Sequence, residues 1–209
     1  MSLTFKLIIL GDQYCGKTSI MNRISSNTFY NTYSATIGID YTNIKYTKDD
    51  KEYNIVLWDT SGQEKFSFLL QSYYSNVTGA IIVYDITNLG SFNSVKRHID
   101  DFRHFKNNDE LPILVISNKI DLEKQRIIQK EELNKIKKIY NVFVLETSVK
   151  ENINLEKIFD IFVDDIEDKL NDGRLNSSHE TGIKIKTKLD IYDFELETNK
   201  DDKKCCNIL

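Results

Sequence analysis

Apolar runs alternate with amphipathic stretches along most of the chain. Residues 80–85 and 113–117 are continuous apolar runs, which are typical of strands that are covered on both faces. Residues 91–105 and 155–170 instead repeat apolar side chains three and four positions apart, which predicts helices. The same reasoning predicts further strands at residues 5–10, 41–47, 53–58 and 142–146 and a helix at residues 16–25. Strands separated by helices favour an α/β fold with a mainly parallel sheet and helices on both faces.

A hydrophilic stretch begins near residue 171, so the sequence predicts a globular domain over residues 1–170 and a flexible tail over residues 171–209. Within the tail, apolar and polar residues alternate from Ile183 to Ile191. Two interpretations of the segment at residues 183–197 stay open. It is either a disordered tail with some β-propensity or a short docking segment for a partner.

Composition narrows the class of protein. The 209 residues are 40% hydrophobic and 29% charged, which suits a soluble domain with a packed core. The net charge of −4 offers no basic excess, so we expect no nucleic-acid partner. The three cysteines, Cys15, Cys205 and Cys206, favour a reducing compartment over a disulfide framework. The first apolar run, residues 7–10, is too short for a signal or membrane-spanning segment, which favours the cytosol or its membrane faces.

Residues 11–18, Gly-Asp-Gln-Tyr-Cys-Gly-Lys-Thr, fit the pattern G-x-x-x-x-G-K-[ST] between a predicted strand and a predicted helix. Glycines let successive N–H groups turn toward phosphate oxygens, and the helix N-terminus adds partial positive charge. Lys17 supplies a point charge, and the Thr18 hydroxyl suits Mg²⁺. The predicted phosphate-binding residues are Gly11, Asp12, Gln13, Tyr14, Cys15, Gly16, Lys17, Thr18 and Ser19. Kinases, ATPases and GTPases share this motif.

A second motif, Asn118-Lys119-Ile120-Asp121, directly follows a predicted strand. The Asp121 carboxylate can accept both donors of guanine, and adenine offers no matching pair. Residues 146–150 follow the next strand, as a second base-contacting loop would. The predicted base-contacting residues are Asn118, Lys119, Asp121, Ser148, Val149 and Lys150. A P-loop kinase or ATPase stays an alternative, but this motif argues against it.

Two more segments predict a switch that depends on the γ-phosphate. Asp59 can hold Mg²⁺, the Gly62 amide can approach the γ-phosphate, and Gln63 can orient the attacking water. Thr36 can add a second hydroxyl to Mg²⁺ only while that phosphate is present. Loss of the phosphate would release both loops, which is an order-to-disorder switch.

Together with residues 35–40 and 84–88, these motifs resemble the Ras superfamily, and the Rab branch in particular, over residues 5 to about 170. Among Rab proteins, the chain resembles the Golgi-type members most, although this preference is weak. It implies a P-loop NTPase fold with a six-stranded sheet and five helices, binding of GTP and GDP with Mg²⁺, and slow GTP hydrolysis in which Gln63 and Lys17 act as catalytic residues. It also implies that Phe29 packs against guanine.

The resemblance further implies partners: a guanine nucleotide exchange factor, a GTPase-activating protein and a GDP-dissociation inhibitor or escort protein. Effectors would recognise an aromatic triad, Tyr41, Trp58 and Tyr73. Gln13 and Tyr14 stand where many Rab proteins carry Ser-Gly, and bulk there could hinder hydrolysis. A hydrolysis-deficient GTP-binding module, locked in one state, therefore stays open beside the cycling GTPase.

The last four residues, Cys206-Asn207-Ile208-Leu209, match C-a-a-X with Leu last, which predicts geranylgeranylation of Cys206. Cys205 is a candidate for a second lipid, and two chains anchor stably where one does not. The predicted location is the cytoplasmic face of an intracellular membrane, Golgi or another secretory or endocytic compartment, in exchange with the cytosol. His98 and His104 show no metal-ligand spacing and are interpreted as solvated helix residues.

Overall fold

The computed structural model of the chain describes residues 2–29, 39–60, 74–178 and 180–186. Its strands are β1 (Ser2–Leu10), β2 (Ile39–Lys48), β3 (Lys51–Thr60), β4 (Gly79–Asp85), β5 (Ile113–Asn118), β6 (Phe143–Glu146) and β7 (Lys184–Lys186). Its helices are α1 (Lys17–Ser26), α2 (Leu89–Asn93), α3 (Val95–Lys106), α4 (Lys130–Tyr140) and α5 (Lys157–Asn171), with a 3-10 helix at Ile120–Gln125.

Six strands form the main sheet in the order β2-β3-β1-β4-β5-β6. Neighbouring strands are parallel except β2, which pairs antiparallel with β3. The predicted α/β fold, with a mostly parallel sheet flanked by helices, is confirmed. Every residue of β4 and β5 is buried, as their continuous apolar runs predict for parallel strands covered on both faces.

The parallel strands all end at one edge of the sheet, and this geometry positions the candidate site. The segments that follow β1, β4, β5 and β6 carry the motifs singled out in the sequence, and Asp59 lies near the end of β3. Ligands of open α/β sheets bind in the crevice outside the carboxyl ends of the strands. The fold therefore gathers residues more than 130 positions apart in sequence into one region.

Two helical segments differ from the predictions. The helix predicted over residues 91–105 is divided into α2 and α3, and the Asn88 side chain caps the first by accepting the Ser91 N–H at 3.1 Å. Helix α4 was not predicted. It buries only Leu133 and Ile136, so its apolar stripe is short and its other residues are mostly charged.

The chain stays packed well past residue 170, so the boundary predicted there is too early. Residues 174–178 and 180–186, which we name the C-terminal strap, lie against the domain, with Leu175 and Ile183 at 4% and 1% exposure. Within the strap, β7 pairs antiparallel with the first residues of β1 and adds a seventh strand to the sheet. The Lys106 ammonium donates to the Glu180 carbonyl at 2.7 Å. Ile183 and Ile185 thus pack against their own domain, which corrects the flexible-tail interpretation for these residues.

Gly182 fixes the path of the strap, and its replacement by alanine should destabilise the protein. Its φ is +70°, and an added Cβ would lie 1.9 Å from the Asn76 carbonyl oxygen. Gly173 has a similar φ of +78° with nothing within 4 Å of an added Cβ, so Gly173→Ala is a matched control for backbone strain. We expect Gly173→Ala to lower the free energy of unfolding by about 1 kcal/mol and Gly182→Ala by about 2–4 kcal/mol. Equal effects in urea unfolding would show that the strap does not pack as described.

Candidate functional site

The loop between β1 and α1 curls through backbone conformations that ordinary residues seldom adopt. Gly16 has φ +96°, and a Cβ there would lie 2.4 Å from the Asn118 side-chain nitrogen, so only glycine fits. Tyr14 also has a positive φ, of 66°, and its side chain is 60% exposed. The loop leads directly into α1, whose first N–H groups face the site. This shape suits an anion such as a phosphate group.

Lys17 brings a buried positive charge into the loop. Its side chain is 6% exposed, and its ammonium donates to the Asp12 carbonyl at 2.9 Å. Burial lowers the pKa of Lys17, although the neighbouring Asp59 carboxylate acts in the opposite direction. A cation that is costly to bury is stabilised when phosphate oxygens come into its reach.

Thr18 and Asp59 meet beneath the loop. The Thr18 hydroxyl donates to Asp59 Oδ2 at 2.5 Å, and Asp59 is fully buried at the end of β3. Mg²⁺ prefers such hard oxygens and commonly combines one or two protein ligands with phosphate oxygens and water, so this donor set fits it. No cluster of three or more His, Cys, Asp or Glu side chains suited to a metal occurs in the described part of the chain. When bound, Mg²⁺ would neutralise phosphate charge beside Lys17.

Asn118 joins the phosphate loop to the base-side loops. Its amide nitrogen donates to the Cys15 carbonyl at 2.8 Å, and its amide oxygen accepts from the Thr147 hydroxyl at 3.2 Å. Because Asn118 is 2% exposed, both bonds are shielded from water. Its backbone carbonyl also accepts the Ile86 N–H at 3.2 Å. Asn118 therefore holds three loops together at the end of β5.

Asp121 lies one turn further on, at the start of the 3-10 helix. Its Oδ1 accepts the Ser148 hydroxyl at 2.6 Å, which orients the carboxylate from the loop that follows β6. Beside it, the Lys119 ammonium lies 2.7 Å from Asp85 Oδ2. The backbone of Lys119 has a positive φ of 68°. The geometry leaves an oriented carboxylate able to recognise a pair of hydrogen-bond donors.

Residues 146–150 are anchored to α1 through Arg23. The guanidinium donates to the carbonyls of Val149 and Lys150 at 3.1 Å each. It also lies 5.7 Å from the centre of the Phe29 ring. Val149 is 3% exposed and faces the core, so its side chain is part of the packing beneath the base-side loop.

Tyr41 and Trp58 form an aromatic pair at the surface of the sheet. They are cross-strand neighbours on β2 and β3, with ring centres 5.6 Å apart. The Lys6 ammonium lies 3.7 Å from the centre of the Trp58 ring and donates to the Ser75 carbonyl at 3.1 Å. Burial, with a smaller effect from the charge of Lys106, lowers the pKa of Lys6 to about 8.

A family comparison agrees with this geometry. Residues 6–168 match the model described as the Ras family. This chain belongs to the Ras family. As a Ras-family protein it is a small GTPase switch that binds GTP and GDP with Mg²⁺, and proteins of the family partner with exchange factors, activating proteins and effectors.

The structure brings together most of the predicted site residues that it describes. Residues 11–19, 118–121 and 148–150, with Asp59 and Phe29, lie on neighbouring segments at the carboxyl edge of the sheet. Other predicted residues lie outside the described part of the Ras-family chain: Thr36, Gly62, Gln63, Tyr73, Cys205 and Cys206. None of the described helices is both long and apolar enough to cross a membrane.

Three contributors to the site were missed in the sequence. Nothing in the sequence pointed to Arg23 as a site residue, because a polar residue on a helix is ordinarily solvated. Thr147 is fully buried, and only its place inside the base-contacting segment pointed to it. His98 was interpreted as solvated, but its side chain is 17% exposed and its Nε2 lies 3.2 Å from the Asp12 carboxylate. That interpretation of His98 is wrong.

Proposed function

We propose that this Ras-family protein is a Rab-type switch that recruits effectors to the cytoplasmic face of an intracellular membrane in vesicle-mediated protein transport. The supporting observation is the pair Tyr41 and Trp58. Tyr41 is 60% exposed, and such amphipathic rings contribute strongly to protein interfaces. An exposed aromatic ring stacked on a partly buried one, next to a nucleotide site, suits a partner that recognises the state of that site.

The position of the pair supports a state-dependent role. Strand β2 begins at Ile39, directly after the segment with Thr36, and β3 ends at Thr60, directly before the segment with Gln63. These two segments are the proposed switches. Any rearrangement there would act on the strands that carry the rings, since both strands adjoin these segments in the sequence. Tyr73 would complete the effector surface.

We further propose that Cys206 and Cys205 carry geranylgeranyl groups and that a GDP-dissociation inhibitor or escort protein shields these lipids in the cytosol. Two lipid chains hold a protein stably on a bilayer, whereas one gives only marginal binding. The nearby Lys203 and Lys204 are offset by Asp201 and Asp202, so charge alone would not anchor the chain.

Imaging and fractionation of the tagged full chain in cells test this proposal. We expect the wild-type chain on a Golgi or other secretory or endocytic membrane, and the Cys205→Ser, Cys206→Ser double variant in the cytosol. Each single variant should show weaker membrane retention than the wild type. Serine keeps the size of the side chain but cannot form the thioether. An unchanged distribution of the double variant would contradict lipid anchoring.

The catalytic proposal is that Gln63 orients water while Lys17 stabilises charge on the phosphates. No arginine occurs in residues 11–18 or 28–39, so an activating protein would supply the missing cation. Such a cation typically raises the rate about 10³–10⁵-fold.

A second candidate is a GTP-binding module that does not turn over. The exposed side chain and positive φ of Tyr14 favour it, because they put an aromatic ring at the mouth of the phosphate loop. Single-turnover hydrolysis of labelled GTP distinguishes the two candidates when the wild type is compared with a Gln13→Ser, Tyr14→Gly variant. Turnover that an activating protein stimulates in the wild type supports the cycling switch. Turnover confined to the variant supports the locked module.

A further inference from the structure

The side chain of Asp12 points away from the phosphate loop and contacts the start of α3. Its Oδ2 accepts the Ser94 hydroxyl at 2.6 Å. Its Oδ1 lies 3.2 Å from His98 Nε2 and 3.3 Å from Arg97 Nη2. These three residues, named here the Asp12 clamp, are separated from Asp12 by more than 80 positions in the sequence. Four side chains therefore join the second residue of the loop to a helix on which no predicted site residue lies.

The clamp is electrostatically matched to an ionised carboxylate. Burial raises the pKa of Asp12, but the hydrogen bonds from His98 and Ser94 and the charges of His98 and Arg97 outweigh it, so the pKa lies below its usual value. Ser94 is also the N-cap residue of α3, where the helix dipole favours a negative charge. Asp12 is therefore held as the anion.

The clamp acts on the same residue whose backbone meets the phosphate-binding lysine. The Asp12 carbonyl accepts the Lys17 ammonium, while its side chain is held from outside the loop. At the other end of the loop, Asn118 holds the Cys15 carbonyl at 2.8 Å. The curled backbone between these two anchors includes Tyr14, whose positive φ costs free energy and which needs support from its surroundings.

We propose that Ser94, Arg97 and His98 are positioning residues that hold the phosphate loop in its binding conformation through Asp12 and thereby slow the release of bound guanine nucleotide. The proposal rests on the GTP-binding function of the Ras family. Release requires the loop to loosen its grip on the phosphates. A loop anchored at both ends opens less often than a loop anchored at Asn118 alone.

Dissociation of a fluorescent GDP analogue from the full chain in Mg²⁺ tests the clamp. Ser94→Ala and His98→Ala should each raise the dissociation rate about tenfold, because each removes a hydrogen bond to a charged group. Arg97→Ala should raise it about two- to threefold, because an ion pair of a half-exposed arginine is weaker. Lys96→Ala is the matched control, since Lys96 lies on the same helix but pairs with Asp100, and it should leave the rate unchanged.

Two further readouts separate positioning from general loss of structure. Ser94→Thr keeps the hydroxyl and should restore slow release, and thermal unfolding of the nucleotide-bound variants should stay cooperative. In a double-mutant cycle, Ser94→Ala should add little to Asp12→Ala, because both remove one interaction. Additive effects of Asp12→Ala and Ser94→Ala on the dissociation rate would contradict the proposal that the clamp holds the loop. Variants that release the nucleotide as slowly as the wild type would contradict it as well. A wild-type chain that binds no GDP would instead contradict the GTPase assignment itself.

Discussion

Replacing Asp121 by asparagine should change the base preference of this protein from guanine to xanthine. The carboxylate accepts hydrogen bonds, and it can pair with the N1–H and the 2-amino group of guanine. Xanthine carries a carbonyl in place of the 2-amino group, so it needs a donor, which the asparagine amide supplies. We expect affinity for GTP to fall on the order of 10³-fold and affinity for xanthosine triphosphate to rise, because a site built for paired donors strongly rejects a base that lacks them.

The surroundings of Asp121 make this test sharp. Ser148 donates to Oδ1 at 2.6 Å and fixes the plane of the carboxylate, and an amide oxygen can accept the same hydrogen bond. Asp109→Asn is a matched control that removes the same charge from a side chain that is 88% exposed. Competition binding with GTP, ATP and xanthosine triphosphate measures the effect. An Asp121→Asn variant that still prefers GTP would show that this carboxylate does not recognise the base.

A second comparison separates orientation from recognition. Ser148→Ala removes the hydrogen bond that orients Asp121 but leaves the carboxylate as an acceptor. It should weaken binding of GTP about tenfold without any gain for xanthosine triphosphate. The two variants together therefore report which part of the affinity comes from the carboxylate and which from its support.

Local patterns were sufficient to predict the central sheet. The continuous apolar runs of β4 and β5 reflect burial on both faces, which only a parallel sheet between helices provides. Helix α4 was not predicted, because its two buried residues, Leu133 and Ile136, form an apolar stripe too short to be recognised among its charged residues. Pattern length thus decided which elements were visible.

The C-terminal strap could not be predicted by any local rule. Its strand β7 pairs with Ser2–Thr4, at least 180 positions away, and three residues of alternating pattern give no sign of a partner. Ile183 is almost fully buried because the segment turns at Gly182 against Asn76. The decisive information is the space left beside the start of β1, where β4 has not yet begun.

The candidate site shows the same division. Motifs predicted that Lys17, Thr18 and Asp59 would meet, because each follows or ends a parallel strand at one edge of the sheet. The Asp12 clamp was invisible in the sequence, since Arg97 and His98 on an amphipathic helix are indistinguishable from solvated residues. Only the packing of α3 beside the phosphate loop brings them to Asp12.

Replacing Lys17 by methionine should strongly weaken nucleotide binding without unfolding the protein. Methionine fills nearly the volume of the lysine stem but carries no charge, so the phosphates lose their buried cation. We expect affinity for GDP and GTP to fall at least about 10²-fold, because hydrogen bonds between charged groups in a shielded site are the strong ones. Titration with a fluorescent nucleotide measures this loss.

In contrast to the affinity, the stability of the nucleotide-free protein should change little in this variant. Lys17 is 6% exposed, and burial lowers its pKa, so the ammonium is costly to hold without phosphates. We expect the free energy of unfolding of Lys17→Met to stay within about 1 kcal/mol of the nucleotide-free wild type, because relief from burying the ammonium offsets the loss of its attraction to Asp59. Lys137→Met, on an exposed face of α4, controls for the loss of a surface charge. A variant that loses stability but keeps its affinity would mean that Lys17 serves the fold rather than the phosphates.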